Sequence, residues 1–334
     1  MERRRLGSRG PALSVIGFGA WAIGGGGYEW GWSGPRDDAA ATAAMHRALD
    51  LGVNWIDTAA VYGRGRSEEL VARAITGMRE RPFIATKCGR LWNERGEVWV
   101  DLRPASIRRE VEASLRRLEV EAIDLFQGHV PDSRTPVEET WQTMAALQDE
   151  GKVVHLGLSH FGRPLIERCL KIRHVDALQL EYSPVKRSAE DDLLRFCAAQ
   201  GIGVLAHSPL RSGLLSGHFD PARIGPDDWR RRLPAFQEPL VSRYLALVER
   251  LRAIAARHAK SPGQLAIAWA LRQPAVTSAI VGARRPEQVE ENVGGVGWQL
   301  TVQDLEDIDR AVAECLPLVR RRWRWRFWQQ WFKR

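Results

Sequence analysis

Short apolar runs rich in β-branched residues alternate along this chain with longer segments whose apolar positions recur at helical spacing. The runs at 13–19, 53–57, 83–87, 123–129, 153–159, 177–181, 203–207 and 278–282 read as strands. The segments at 37–51, 67–78, 106–118, 136–150, 164–172, 189–200, 262–272 and 286–292 read as the helices that follow them. Start signals support several of these helices. Ser67 precedes Glu68 and Glu69, Ser188 precedes Glu190, and Pro262 sits where a first turn tolerates a missing N–H. Most strand runs are near-continuous in apolar residues, as expected when both faces of a sheet are buried. Eight strand–helix units within 334 residues predict an α/β fold, a parallel sheet closed as a (β/α)8 barrel rather than an open doubly wound one. Residues 3–6 and 12–14, joined by Gly7-Ser8-Arg9-Gly10, predict a small β-hairpin ahead of the first barrel strand. Two extra helices, 238–258 and 302–315, stand outside the alternation, the first after a Pro/Asp/Arg-rich loop at 211–239.

Composition narrows the class. With 44% hydrophobic and 27% charged residues, the chain carries enough apolar material for a sizeable core, and no apolar run approaches the roughly 18–20 residues that span a bilayer. Cys88, Cys169, Cys197 and Cys315 are scattered without CxxC or Cys/His clustering, which predicts no disulfide scaffold, no bound metal and a reducing, cytoplasmic setting. The apolar stretch 12–22 contains Gly17 and Gly19 and is followed by Gly24 to Gly27, poor material for a signal-peptide helix. The net charge of +8 belongs to the end of the chain. From Arg320 to Arg334 there are six Arg, one Lys and no acid, so removing these seven charges leaves the first 319 residues at +1. The reading is therefore a barrel domain over 1–316 and a basic aromatic tail over 317–334, not a nucleic-acid-binding body.

The residues that close the strands suggest chemistry. Asp57, Lys87, His129, Ser159-His160, Gln179 with Glu181, His207-Ser208 and Gly282 with Arg284 all fall at or just past a C-terminal strand end, the face where barrel active sites form. Solvated loops explain one or two polar strand ends. They explain less well an acid, a lysine and a histidine ending three consecutive strands. Tyr62 with Lys87, Asp57 and His129 forms a plausible acid–base set: an ammonium beside the phenol is expected to lower its pKa, a carboxylate to aim the ammonium, and an imidazole to hydrogen-bond a substrate oxygen. Such a set protonates an oxyanion as it forms, which carbonyl reduction by hydride requires.

Longer motifs carry a resemblance. GVNWIDTAAVYGRGRSEELV at 52–71, IATKCG at 84–89, SLRRLEVEAIDLFQGHVPD at 114–132, GKVVHLGLSHF at 151–161, SPLRSGLLSG at 208–217 and AIVGARRPEQVEENV at 279–293 occur in this order. Together they make the chain resemble the aldo-keto reductase superfamily from about Arg4 to Cys315. The resemblance implies a TIM barrel, NADPH as hydride donor with NADP+ as its product, and reduction of aldehydes or ketones to alcohols. It implies a tetrad of Asp57, Tyr62, Lys87 and His129, with Tyr62 as general acid. It also implies a cofactor groove. Ser159, His160 and Gln179 would hold the nicotinamide carboxamide, and His207 would stack on its ring. Ser208, Leu210, Ser212 and Gly213 would line the pyrophosphate, while Gly282, Arg284, Gln288, Glu291 and Asn292 would form the adenosine end, with Arg284 facing the 2′-phosphate. A guanidinium there favours NADPH over NADH. The family commonly has Ser-Asn where this chain has Ser159-His160 and an aromatic such as Tyr at His207.

Rival readings leave other residues with bland roles. Gly17-Phe18-Gly19-Ala20-Trp21-Ala22 with Asp37 fits a loose dinucleotide fingerprint, but a Rossmann turn needs a helix to open there and Gly24 to Gly27 opposes one. Trp21, Trp30 and Trp92 are candidate walls of a substrate pocket, or core and rim packing. His46, His155, His174, His218 and His258 lack metal-ligand spacing and read as structural. Glu190, Asp191 and Asp192 read as a helix start favoured by its dipole, and Cys88 as barrel packing. In the tail, Trp323, Trp325, Trp328, Trp331, Phe327 and Phe332 suit docking on the barrel or a second subunit, or an anionic lipid surface, with single-stranded nucleic acid a poorer fit. An NADPH-binding barrel with little turnover, acting as a redox-sensing or regulatory subunit, is the alternative function, and a metal-dependent hydrolase a weaker third.

Overall fold

The computed structural model describes Met1–Gly26, Tyr28, Gly31, Trp32, Gly34 and Arg36–Pro317. The proposed tail from Arg320 to Arg334 and Trp30 lie outside these residues. A hairpin of β1 (Arg3–Arg5) and β2 (Ala12–Ser14) precedes the first barrel strand, β3 (Ile16–Gly19). The remaining barrel strands are β4 (Trp55–Asp57), β5 (Phe83–Cys88), β8 (Ile123–Gly128), β9 (Val153–Ser159), β10 (Ala177–Glu181), β11 (Gly203–His207) and β12 (Val276–Gly282). Each pairs in parallel with its neighbours, and β12 pairs with β3 to close the ring. The closed eight-stranded barrel and the hairpin at its N-terminal side are as the sequence pattern predicts. Residues 13–19 are not one strand, however: 12–14 serves the hairpin and 16–19 the barrel.

Helices cover the outside: α2 (Asp38–Asp50), α3 (Arg66–Ile75), α4 (Pro104–Leu118), α5 (Val137–Asp149), α6 (Arg163–Leu170), α7 (Leu193–Gln200), α9 (Pro262–Leu271) and α10 (Pro286–Val293) follow the strands in turn. The extra helices α8 (Leu240–Ala256) and α11 (Val302–Cys315) pack together, with Arg257 and His258 after α8 pairing to Asp304 of α11 at 3.3 and 2.8 Å. Caps follow the sequence signals. Ser261 with Gln264 and Thr301 with Asp304 form capping boxes that satisfy the first N–H groups of α9 and α11.

The predicted helix 189–200 breaks in two. Ser188–Glu190 is a 3-10 turn and α7 begins only at Leu193. The acids do not act there as a helix start: the Glu190 carboxylate accepts from the Tyr182 hydroxyl and from Arg272, and Asp192 pairs with Arg163 at 2.8 Å without capping α7. These tertiary charge pairs outweigh the dipole preference read from the sequence. Two elements had no sequence signal. A one-turn α1 (Trp21–Gly24) opens after β3, and β6 (Arg90–Trp92) pairs with β7 (Val98–Val100) as a hairpin above the barrel.

Inward side chains fill the barrel base. Trp55, Ala85, Leu125, Ala177, Leu205 and Ile280 meet Leu6 and Leu13 of the hairpin region, which plug the bottom. The Trp55 indole fixes this layer: its Nε1 donates to Ser14 O at 3.2 Å and Ser278 Oγ at 3.1 Å. A Cβ at Gly17 would fall 2.1 Å from the indole, so glycine is required where the ring crosses β3. With the base filled, only the C-terminal end is free to carry polar groups. Among the described residues no helix is long and apolar enough to cross a membrane, and no His/Cys/Asp/Glu cluster could hold a metal.

Candidate active site

Strand periodicity brings the proposed tetrad together. Trp55 fills the base, so Asp57 two residues on points into the barrel one layer higher, and Ala85 places Lys87 likewise. His129 follows β8, its N–H bonded to Cys88 O at 2.9 Å. Tyr62 comes from the turn before α3, its N–H held by Ala59 O at 3.0 Å. The Lys87 ammonium is fully buried and donates to both Asp57 oxygens, at 2.9 and 2.7 Å, and to Thr58 O at 2.8 Å. It lies 3.3 Å from the Tyr62 hydroxyl. The His129 ring meets Tyr62 edge-on, 5.8 Å between centroids.

Electrostatics correct one expectation. The Tyr62 pKa is not lowered overall: burial raises it above the ordinary phenol value, the Asp57 charge raises it further, and Arg90 opposes. Burial likewise lowers the Lys87 pKa, with Asp57 partly restoring it. His129 is held neutral, its pKa depressed by burial and then by Arg90 and Lys87. Breaking the buried Lys87–Asp57 pair from one side would cost about 3–5 kcal/mol through the stranded charge.

A shell fixes these groups from behind. Thr86 donates to Glu68 at 2.6 Å, and Arg117 pairs with the other Glu68 oxygen at 2.7 Å. Thr58 donates to Ser67, which donates to Ala20 O, at 2.8 and 2.9 Å. Gly89, at φ +90°, donates its N–H to both oxygens of buried Glu110 at 3.1 and 3.0 Å. Desolvation lifts that carboxyl to about 8, so it is largely protonated near neutrality. Cys88 is buried with its thiol pushed up by desolvation, which fits packing rather than nucleophilic use.

The proposed cofactor residues line the next strand ends. Ser159 Oγ and His207 Nε2 are buried with no hydrogen-bond partner among the described residues, so both are available to a ligand. Gln179 Nε2 instead donates to Asp57 at 2.7 Å. The His160 and His207 rings meet edge-on, 4.8 Å between centroids, and burial lowers both pKa values. Beyond β11, Ser208, Arg211, Ser212 and Gly213 all adopt positive φ, in tight turns where the Arg211 N–H donates to Ser208 O at 2.9 Å and the Gly213 N–H to Leu210 O at 3.0 Å. The loop is anchored by a half-buried Arg211–Glu181 ion pair and by Leu210 packed on the core. After β12, Arg284 N–H donates to Gln288 at 2.8 Å, and Asn292 donates to Gly282 O at 3.3 Å. Glu291 is instead engaged by Ser261 and, through its carbonyl, by Gln264 at 3.0 Å. The unpaired polar atoms, the positive-φ loop and the arginine end together fit a dinucleotide.

The aromatic candidates divide. Trp21 meets Trp32 and Trp229 edge-on at 5.8 and 5.4 Å and donates to the Tyr28 hydroxyl at 3.0 Å. Trp92 instead sits beside Arg117, 6.0 Å from its guanidinium carbon. Trp32 is sandwiched by Arg284 and Arg230 at 4.4 and 4.6 Å. Tyr28, Trp32, Glu110 and Arg90 are site features the sequence reading missed. Arg90 was open to discovery, standing three residues after Lys87, whereas Tyr28 and Trp32 lie in a glycine-rich segment without periodicity. A recess of about 400 Å³ lined by Glu69, Arg73, Ala113, Arg116, Arg117 and Glu119 lies on the outer wall between α3 and α4, apart from the tetrad. His46 and His258 are satisfied structurally, by Ala74 O and Asp304 at 2.8 Å each.

Comparison with known proteins agrees with this geometry. The model of the Aldo/keto reductase family matches residues 15–313. An aldo-keto reductase of Bacillus subtilis (strain 168) is 36% identical, covering 92% of this chain and 93% of the relative. The NADH-specific methylglyoxal reductase of Escherichia coli (strain K12) is 34% identical over 95% of this chain and 99% of its own. Among solved structures, the glycerol dehydrogenase of Gluconobacter oxydans superimposes with a TM-score of 0.85 at 37% identity, covering 94% and 96% of the two chains. The holo form of an aldo-keto reductase from Bacillus halodurans gives 0.77 at 28% identity, over 93% and 96%.

Proposed function

Since the chain belongs to the aldo/keto reductase family, we propose that it reduces an aldehyde or ketone to the alcohol with NADPH, using Tyr62 as the general acid. One observation carries the reading: the Lys87 ammonium bridges the Asp57 carboxylate and the Tyr62 hydroxyl, 3.3 Å away, at the open end of the barrel. The dihydronicotinamide, when bound, supplies a hydride to the carbonyl carbon. The two electrons of the C=O π bond pass to oxygen, and Tyr62 delivers the proton that completes the alcohol. The buried phenol is protonated at neutral pH, the form a general acid must hold. Lys87 stabilises the phenolate left behind, and neutral His129 donates a hydrogen bond to the carbonyl oxygen without competing for its proton.

Ser159, His160 and Gln179 would hold the carboxamide and His207 would stack on the ring. The 208–213 loop would receive the pyrophosphate and Arg284 the 2′-phosphate. The relatives support a nicotinamide nucleotide; NADPH in particular rests on Arg284, and one relative is named for NADH specificity. Free thiols at all four cysteines suit a reducing cytoplasm.

Tyr62→Phe tests the acid. It is expected to lower kcat by about a thousandfold or more while the NADPH dissociation constant stays within about twofold. Near-normal turnover would reject Tyr62. Absence of NADPH oxidation with a panel of simple aldehydes, despite tight NADPH binding, would favour the regulatory-subunit reading.

A further inference from the structure

The barrel interior carries a polar layer directly above its apolar base. Trp55, Ala85, Leu125, Ala177 and Leu205 belong to the base. Two residues further along the same strands stand Asp57, Lys87, Gln127, Gln179 and His207, turned inward by the strand period. All but Gln127 have a part in the chemistry proposed above. Gln127 lies on β8 opposite Lys87 of β5 on one side and Gly157 of β9 on the other. It is fully buried, and neither its Nε2 nor its Oε1 has a hydrogen-bond partner among the described residues. A buried amide unsatisfied at both ends is uncommon, because each group has lost water and gained nothing in return.

The Lys87 side offers this amide nothing. The Lys87 ammonium directs its donors at Asp57, Thr58 O and Tyr62, and Asp57 Oδ1 takes Gln179 as well. The β9 side differs. A Cβ at Gly157 would lie 2.9 Å from Gln127 Cγ and 3.2 Å from Leu125 Cδ1, so the missing side chain gives Gln127 room on that flank. Position 157 therefore faces the interior, and so does Ser159, two residues or roughly 6.6 Å further along β9. Ser159 is also buried, and its Oγ likewise has no partner among the described residues. Two sealed polar side chains on neighbouring strands, each unsatisfied and not bonded to the other, make the arrangement that an internal water bridges.

Resting on the nucleotide site proposed above, we propose that Gln127 and Ser159 share an internal water, through which Gln127 is a positioning residue for the nicotinamide carboxamide. Gln127 Nε2 donates to the water, and the water donates to Ser159 Oγ. A serine hydroxyl has a single proton, so a donor occupying one of its lone pairs settles how that proton turns. The Ser159 hydroxyl is then left to donate to a carboxamide oxygen. Setting the rotor in advance removes an ordering cost from nucleotide binding.

The bridge is tested in the intact protein by crystallography and by calorimetry. In nucleotide-free crystals, water density is expected within hydrogen-bond distance of both Gln127 and Ser159. Gln127→Met keeps the length of the side chain and removes its amide. It is expected to raise the NADP+ dissociation constant about fivefold, the scale of one neutral hydrogen bond. Adenosine 2′,5′-bisphosphate, which lacks the nicotinamide end, should bind Q127M and the wild type equally. In an S159A background the same substitution should change NADP+ binding less than about twofold, since the bridge is already broken.

Absence of that density overturns the bridge. Additive losses in the double variant overturn it too, as does equal weakening of NADP+ and the bisphosphate, the mark of a merely structural Gln127. The water is sought without nucleotide, so its failure and that of the nucleotide site are separable. Bridging density in a protein that binds no NADP+ would sink the nucleotide site, and the positioning role with it, while keeping the water. NADP+ binding without such density would do the reverse. Should Q127M fail to fold, Gln127→Leu carries the same comparison.

Discussion

Gln179 donates from Nε2 to the Asp57 carboxylate at 2.7 Å, across the barrel from β10 to β4. The same oxygen, Oδ1, also receives Lys87 at 2.9 Å. A side chain proposed to hold the nicotinamide is therefore wired to the group that aims the catalytic ammonium. Occupation of the carboxamide pocket and alignment of Lys87 become a single arrangement.

That coupling distinguishes two neighbours in the same pocket. Gln179→Leu should weaken nucleotide binding and also lower kcat by about tenfold, since a hydrogen bond to a charged group contributes about 1.5–3 kcal/mol. Ser159→Ala, whose hydroxyl touches no catalytic residue, should weaken nucleotide binding with kcat nearly unchanged. Steady-state kinetics with measured nucleotide dissociation constants check both; a kcat loss confined to the Ser159 variant would contradict the wiring.

Glu110 predicts a pH effect on stability. Its folded pKa, lifted to about 8, stands above the ordinary value of 4.5. Between these values the folded state keeps a proton that the unfolded state has lost, so stability falls as pH rises through the window. Glu110→Gln removes this penalty, which is on the order of 5 kcal/mol once pH exceeds the folded pKa. Urea denaturation from about pH 5 to pH 8.5 should show the variant gaining on the wild type as pH rises. A constant difference would place the Glu110 pKa elsewhere.

Much of this site was legible before any coordinates. Strand period fixes side-chain direction, so an acid at Asp57 and a lysine at Lys87, each ending an apolar run, had to converge at the barrel mouth. The β9, β10 and β11 limits follow from short, mostly apolar runs, broken inside only by His155 and Gln179. What escaped reading depends on chain reversals without periodicity. The β6–β7 hairpin that delivers Arg90 has strands of three residues, and the α1 turn after β3 has four. The sequence shows a lysine near Tyr62 but not that the phenol is buried beside the Asp57 carboxylate, both of which raise its pKa.

The His160–His207 pair predicts acid sensitivity. Burial depresses both pKa values below 6.5; His207 adds to the depression of His160, while Glu181 partly offsets that of His207. As pH falls below about 6.5 the unfolded imidazoles take up protons that the folded ones do not, so stability is lost toward acid. Replacing one ring, as in His160→Asn, should flatten the fall in Tm between about pH 7 and pH 5 by a few degrees. An unchanged slope would mean that neither imidazole resists protonation in the fold.

Arg284 predicts nucleotide choice. Its guanidinium stacks 4.4 Å from the centroid of Trp32, whose indole also carries Arg230 at 4.6 Å. Burial lowers the Arg284 pKa, and repulsion from Arg285 and Arg230 lowers it further. A cluster of like charges held together on an indole is relieved by an anion, and a 2′-phosphate supplies two negative charges at that end of the groove. Arg284→Leu should therefore raise the NADPH dissociation constant about tenfold or more and the NADH constant less than about twofold. Trp32, placed against the same guanidinium, gives the readout, since a bound nucleotide alters the surroundings of its indole. Equal weakening of both nucleotides would show that Arg284 supports the groove without reading the phosphate, and would overturn the assignment of NADPH to this site.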